Sequence, residues 1–228
     1  MINQVNFNTK IITIDGPAAS GKSAAGAFLS EKINFSYLDT GLMYRAVTAY
    51  FIENNILPEQ LNEISEHLEN MNLNMKFIKR KISNIFINNN DYMSKLFLSK
   101  IDLSVSKYSS ISSIRRYLVT KQRLIAKNKN IIMIGRDIGT VVIPSAKFKF
   151  YLKASSLIRA KRRYEQTKNK DKSIQEIKTS IELRDKIDST RKDSPLMPAN
   201  DAIIIYTDDL NLSEVVDKMY NAFIGENL

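Results

Sequence analysis

Gly16-Pro17-Ala18-Ala19-Ser20-Gly21-Lys22-Ser23 meets the pattern G-x-x-x-x-G-K-[ST] at every fixed position, and its reading decides the fold. The stretch follows the apolar run Ile11-Ile12-Thr13-Ile14, a buried strand by pattern, and opens a helical repeat with Ala25, Phe28, Leu29 and Ile33 on one side. Small residues at 16, 18, 19, 20 and 21 let the backbone curl into a nest of inward N–H groups. The helix beginning near Gly21 adds the positive end of its dipole. Such a nest binds a polyphosphate; Lys22 would reach its outer phosphates and the Ser23 hydroxyl would ligand a bridging Mg²⁺.

A second short apolar run, Phe35-Ser36-Tyr37-Leu38-Asp39, completes a strand–loop–helix–strand unit. That unit predicts an α/β fold on a parallel sheet with ligands at the carboxyl ends of the strands. The segment after it, Asp39-Thr40-Gly41-Leu42-Met43-Tyr44-Arg45-Ala46-Val47, therefore lies near the phosphates. Its guanidinium and hydroxyls suit a second phosphate, because Arg offers a planar two-pronged match to phosphate oxygens.

The whole chain bounds the rest. Its 228 residues, 43% of them apolar, fit one core domain with an insertion. There is no cysteine and one histidine, His67, so disulfides and thiolate metal sites are excluded; His67, with no partner in its pattern, reads as a surface residue. Met1 to Lys10 lacks a signal-length apolar core and no apolar run reaches bilayer length, so a cytoplasmic protein with no membrane partner is expected. The net charge of +10 is the footprint of nucleic-acid binding, but no recognition-helix, RNP or zinc-finger signature accompanies it. A surface bias toward Lys and an anionic nucleotide substrate account for it, and no nucleic-acid partner is expected.

Ile14 through Ser23 followed by Leu38-Asp39-Thr40-Gly41-Leu42-Met43-Tyr44-Arg45 resembles the bacterial cytidylate kinases of the nucleoside monophosphate kinase superfamily. The resemblance extends over roughly Ile11 to Met219. It implies a P-loop three-layer fold with a parallel central sheet, an inserted monophosphate-binding subdomain and a helical lid. The single domain would use a core of 10–55, 100–154 and 195–228, an insertion at about 56–99 and a lid at about 155–194. Within the insertion, Leu61, Ile64, Leu68 and Met71 have helical spacing, and the alternation of Leu73, Met75, Phe77, Ile85 and Ile87 around the basic turn Lys79-Arg80-Lys81 predicts a hairpin.

Asp102 to about Lys127 reads as one long helix with a stripe of Ile111, Ile114, Leu118 and Ile125, and with Arg115 and Gln122 at its edge. A charge pointed inward needs a partner. By resemblance, Ser106 and Arg115 contact the pyrimidine ring, whereas Arg116 and Arg123 have no match and read as solvated. The strand Ile131-Ile132-Met133-Ile134 then leads into Gly135-Arg136-Asp137-Ile138-Gly139-Thr140, the most diagnostic motif, which implies Arg136 on the acceptor phosphate and Asp137 on cytosine. A carboxylate accepts from the exocyclic amine of cytosine and repels the carbonyl of uracil. The chain departs from the family at Ile134, where an acidic or small residue is usual, leaving Asp15 and Asp39 as carboxylates for water-mediated metal support, and at Ala24, where Thr is usual.

Arg159, Arg162 and Arg163 are three and four apart after the strand Phe148–Leu152, hence on one helix face. The resemblance makes them lid arginines over the triphosphate. Arg184, Asp188 and Arg191 share a face further on, and Asp185 beside them reads as part of a structural ion pair; the resemblance implies Arg184 and Asp188 on the sugar hydroxyls and Arg191 on the monophosphate's phosphate or the transferring group. Asn211 and Glu214 form a capping pair for the last helix.

The sequence thus predicts a monomeric enzyme that transfers phosphate from ATP, with Mg²⁺, to CMP or dCMP. Lys22, Arg136, Arg159, Arg163 and Arg191 carry the catalysis; Gly16 to Ser23 bind ATP; Thr40, Tyr44, Arg45, Ser106, Arg115, Arg136, Asp137, Arg184, Asp188 and Arg191 bind CMP. The rivals are a P-loop kinase for another acceptor such as UMP, a GTP switch, and a nucleic-acid-binding module. The switch would need N-K-x-D, and Asn169-Lys170-Asp171-Lys172 has its Asp one place early.

Overall fold

The computed structural model describes residues 10–166 and 172–225; positions 1–9, and positions 169–171 of the near-match to N-K-x-D, lie outside them. In chain order the elements are β1 (Ile11–Asp15), α1 (Lys22–Lys32), β2 (Ser36–Asp39), α2 (Thr40–Glu53), α3 (Leu61–Glu69), β3 (Leu73–Ile78), β4 (Lys81–Ile87) and β5 (Asn90–Asp91). There follow α4 (Ser99–Ser109), α5 (Ser112–Ala126), β6 (Ile131–Ile134), β7 (Phe148–Lys153), α6 (Ser156–Gln166), α7 (Ile174–Thr190), β8 (Ile203–Tyr206) and α8 (Leu212–Gly225).

Five strands in the order β2-β6-β1-β7-β8 form the central sheet, and every pairing is parallel. All carboxyl ends therefore meet at one edge. The three central strands, β6, β1 and β7, are buried along nearly their whole length because both faces are covered. On one face Ile12, Ile14, Ile132, Ile134, Phe148 and Phe150 pack with Leu29 of α1 and Val216, Met219 and Phe223 of α8. Close approach of α1 depends on Gly26, where a Cβ would stand 2.9 Å from Ile134 Cγ2. On the other face Ile11, Ile131 and Met133 share one core with α2, α4, α5 and the inner side of a second sheet, β3-β4-β5.

That second sheet is the predicted hairpin. Lys79 and Arg80 both have positive φ, 46° and 68°, as a two-residue primed turn requires, and Asn88 and Asn89 repeat the geometry before β5. α7 begins with a capping box of Ser173 and Glu176, and Asn211 and Glu214 exchange hydrogen bonds ahead of α8 as expected.

The long helix predicted from Asp102 to Lys127 is two helices. Ser109 and Ser110 donate their hydroxyls to the Ser106 and Lys107 carbonyls, and Ile111 turns extended at ψ 122°. Serines compete with the helix for backbone groups, so a continuous apolar period hides the break. Arg123 is not solvated either: it donates to the Val141 and Val142 carbonyls at 2.8 Å, holding the π-helical turn Ile138–Val142. His67 is half-buried with its Nδ1 2.8 Å from the Tyr50 hydroxyl. No described helix is long and apolar enough to cross a membrane.

Candidate active site

The phosphate loop spans the link from β1 to α1. Gly16 has φ 146°, and a Cβ there would meet the Leu152 carbonyl oxygen at 2.2 Å, so only glycine lets the loop pass β7. Lys22 is 6% exposed and folds back, donating to the Pro17 carbonyl at 2.6 Å and to Ser20 Oγ at 3.2 Å. Burial, reinforced by the charge of Arg136, lowers its pKa well below the ordinary 10.5. The ammonium is thus poised to gain from an arriving anion.

Ser23 is exposed at the first turn of α1, its hydroxyl donating to Asp39 Oδ2 at 2.9 Å. Asp39 is also the N-cap of α2, accepting from Gly41 N through its other oxygen. Asp39 lies in register with Ile134 on β6, and Ile134 itself is buried in the core under α1. The carboxylate beside the loop hydroxyl accordingly comes from β2 rather than β6.

Asp15 points elsewhere. It is 4% exposed and accepts from the Ile138 and Gly139 amides at 2.9 and 2.8 Å, tying the end of β1 to the turn after Arg136-Asp137. Burial raises its pKa to about 6, against the lowering effect of the two amides.

A second group of side chains lies beside the loop. Arg115 Nη2 meets Asp137 Oδ2 at 2.5 Å, and its Nη1 donates to the Ser109 carbonyl freed at the helix break. Arg191, at the end of α7, is 3.5 Å from Asp137 and 3.8 Å from Asp188, and Asp188 accepts from Arg136 Nε at 3.0 Å. Arg115 lies over the Tyr44 ring at 5.4 Å; burial raises the Tyr44 phenol to about 12. Arg184 is lowered to about 10, by burial first and by Arg136 next. Buried guanidinium nitrogens of Arg115, Arg184 and Arg191 have no hydrogen-bond partner among the described residues. Buried donors without a hydrogen bond, gathered among carboxylates, mark a place for a ligand.

Of the remaining expected residues, Thr40 spends its hydroxyl on the Ile134 carbonyl at 2.8 Å, and Ser106 is buried on α4. Arg45 donates to the Leu96 carbonyl and pairs with Asp102 of α4. Asp102 also takes Arg163 of α6 at 2.9 Å. Arg159 is buried between the Ala154 and Ala18 carbonyls and Asp185. The lid triad does not share one face: Arg162 leaves it for Thr207 at the sheet edge, while Arg159 and Arg163 point to the site. Asp102 escaped the sequence reading. It stands in the first turn of α4, where an acidic residue needs no other reason, and its two partners are 57 and 61 residues away. The arrangement brings a polyphosphate nest, a hydroxyl–carboxylate pair and a cluster of guanidiniums around one buried carboxylate, a layout suited to two adjacent anions.

A family model described as cytidylate kinase matches residues 12–224. A cytidylate kinase of Fusobacterium nucleatum is 45% identical over 209 residues, 91% of this chain and 94% of that protein. One of Caldanaerobacter subterraneus is 42% identical over 220 residues, 96% of each. Among solved structures, shikimate kinase of Bacteroides thetaiotaomicron is similar in fold, with a TM-score of 0.50 at 10% identity over 94% of this chain and 98% of that one.

Proposed function

The chain belongs to the cytidylate kinase family, and from that premise we propose that its site moves the terminal phosphoryl group of ATP to CMP, and to dCMP, giving ADP and the diphosphate. The observation that carries the choice of acceptor is the buried pair of Arg115 and Asp137, beside which Arg115 Nε and the Tyr44 hydroxyl have no hydrogen-bond partner among the described residues. A carboxylate held there accepts from the amino group of cytosine and repels a uracil carbonyl.

Gly16 to Ser23 hold the ATP phosphates, and Lys22 leaves Pro17 and Ser20 for them. Arg136 and Arg191 hold the CMP phosphate with Arg45, Thr40 and Tyr44 orient the segment beside it, Ser106 and Arg115 flank the base, and Arg184 and Asp188 take the sugar hydroxyls. A CMP phosphate oxygen forms the new P–O bond as the bond between the terminal phosphorus and its bridging oxygen breaks, and ADP carries away that electron pair. No general base is needed, because the attacking phosphate is already anionic. Arg159 and Arg163 join Lys22, Arg136 and Arg191 in neutralising the transferred group. Residues 56–99 serve as the monophosphate-binding insertion and 155–194 as the lid, in a cytoplasmic monomer.

The donor set near the loop fits Mg²⁺, a hard cation that takes one or two protein oxygens and completes its shell with water and phosphate. Ser23 and Asp39, 2.9 Å apart, would hold it, and Ile134 contributes nothing. Bound there, the ion supplies charge compensation to the outer phosphates.

The test is a steady-state comparison of CMP, dCMP, UMP and AMP with ATP as donor. Preference for CMP and dCMP supports the reading; equal use of UMP overturns the role of Asp137, and phosphorylation of none overturns the function.

A further inference from the structure

Asp185 sits on α7, yet its Oδ1 accepts the Ala18 N–H of the phosphate loop at 3.2 Å. Its Oδ2 is 2.5 Å from Arg159 Nη1, and the same nitrogen donates to the Ala18 carbonyl at 2.9 Å. Carboxylate and guanidinium thus grip residue 18 from both of its backbone ends. The pair is largely shielded, with side chains 19% and 7% exposed. A surface ion pair would do nothing to the loop; the carboxylate of this one also reaches a loop amide 167 residues away and so occupies that amide and a lid arginine together.

A loop N–H and a lid guanidinium are also the partners that a nucleotide phosphate seeks. We propose that Asp185 is an internal competitor of the donor nucleotide: in the nucleotide-free protein it stands in for a phosphate oxygen on Ala18 N–H and on Arg159, and ATP must expel it. Two anions cannot share one N–H at contact distance, and their repulsion is strong where water is scarce. The folded-back Lys22 completes the same self-satisfied state, its ammonium resting on Pro17 and Ser20.

The exchange also reaches the acceptor side. Asp188 lies one turn beyond Asp185 on α7 and holds Arg136, and Arg191 follows at the end of the helix. Releasing Asp185 from the loop lets α7 shift as a unit. Donor binding then alters how firmly Arg136 and Arg191 are tied up, and so the affinity for CMP. This rests on the kinase reading above.

The test measures dissociation constants of a non-hydrolysable ATP analogue by calorimetry, without CMP, for the unmodified chain and for Asp185→Asn, Asp185→Ala and Asp185→Glu, each checked by thermal melting. Asn keeps the shape and one acceptor but no charge. Asn and Ala are expected to bind the analogue about five- to tenfold more tightly at low salt, with the gain shrinking as salt screens the repulsion, and Glu is expected not to gain. The same titrations with CMP should show its affinity responding to the analogue in the unmodified chain and hardly at all in Asp185→Asn. Unchanged or weaker analogue binding by Asn and Ala overturns the proposal and makes Asp185 a brace that preorganises the loop. A chain that phosphorylates CMP yet gives that result loses this inference alone; one that neither binds the analogue nor phosphorylates CMP loses the kinase reading with it.

Discussion

Arg115 and Asp137 hold each other at 2.5 Å with side chains 4% and 5% exposed, so the carboxylate assigned to cytosine enters the reaction already paired. The base reading proposed for Asp137 would therefore be linked to stability at this position. Asp137→Asn keeps the shape and should cut the preference for CMP over UMP in kcat/KM by about tenfold to a hundredfold. Asp137→Ala should in addition lower the unfolding free energy by about 3–5 kcal/mol, because it leaves a buried guanidinium without its partner. An undiminished CMP preference in Asp137→Asn detaches the residue from the base.

Lys22→Ala should lower kcat by about a hundredfold to a thousandfold and leave KM for CMP within about threefold, since the ammonium neutralises charge on the group being transferred. A change confined to KM for CMP would place Lys22 on the acceptor.

Burial depresses the Lys22 pKa, and ATP phosphates favour its charged form. At any pH between the depressed value and the ordinary 10.5, nucleotide binding should therefore take up a proton at this site. Calorimetry in two buffers of different ionisation enthalpy reads the uptake, which should vanish in Lys22→Met.

Asp15 keeps its proton to about pH 6 in the fold, whereas the unfolded chain releases it near 3.8. Native Asp15 binds more protons in that window, so its stabilising contribution is full below it and is lost as pH rises through it. The loss amounts to roughly 3 kcal/mol. Denaturant midpoints measured from pH 4 to 7 should carry this falling component in the unmodified chain and lack it in Asp15→Asn.

Gly16→Ala should abolish ATP-analogue binding, because the added Cβ would lie 2.2 Å from the Leu152 carbonyl oxygen and force the loop off β7. Retained binding with normal affinity would show that the loop tolerates the shift.

What the sequence disclosed was what is local. The loop at 16–23 and the Gly135–Thr140 segment are contiguous, and their chemistry is set by neighbours in the chain. The hairpin was legible because alternation and a turn adjoin each other. The break at Ser110-Ile111 was not, since the apolar period runs through it and the deciding bonds are hydroxyl to backbone. Asp102 and Asp185 were missed as site residues for the opposite reason: their partners Arg45, Arg163, Ala18 and Arg159 belong to other elements, and only the fold brings them together. Arg162 was misread because three-and-four spacing spans enough of a helix circumference for one member to face the sheet edge.

The two-residue link between α4 and α5 fixes where Arg115 stands. Arg115 is anchored across that link to the Ser109 carbonyl, while the loop, Lys22 and Ser23 depend on β1 and α1. Adding or removing one residue at Ser110-Ile111 would either break that anchor or turn α5 by about 100°, carrying the buried Ile114, Leu118 and Val119 out of the core they share with Ile11 of β1. The length of this short joint is thus held from two sides at once, by the Arg115–Asp137 pair and by the core that α5 shares with the strand leading into the phosphate loop.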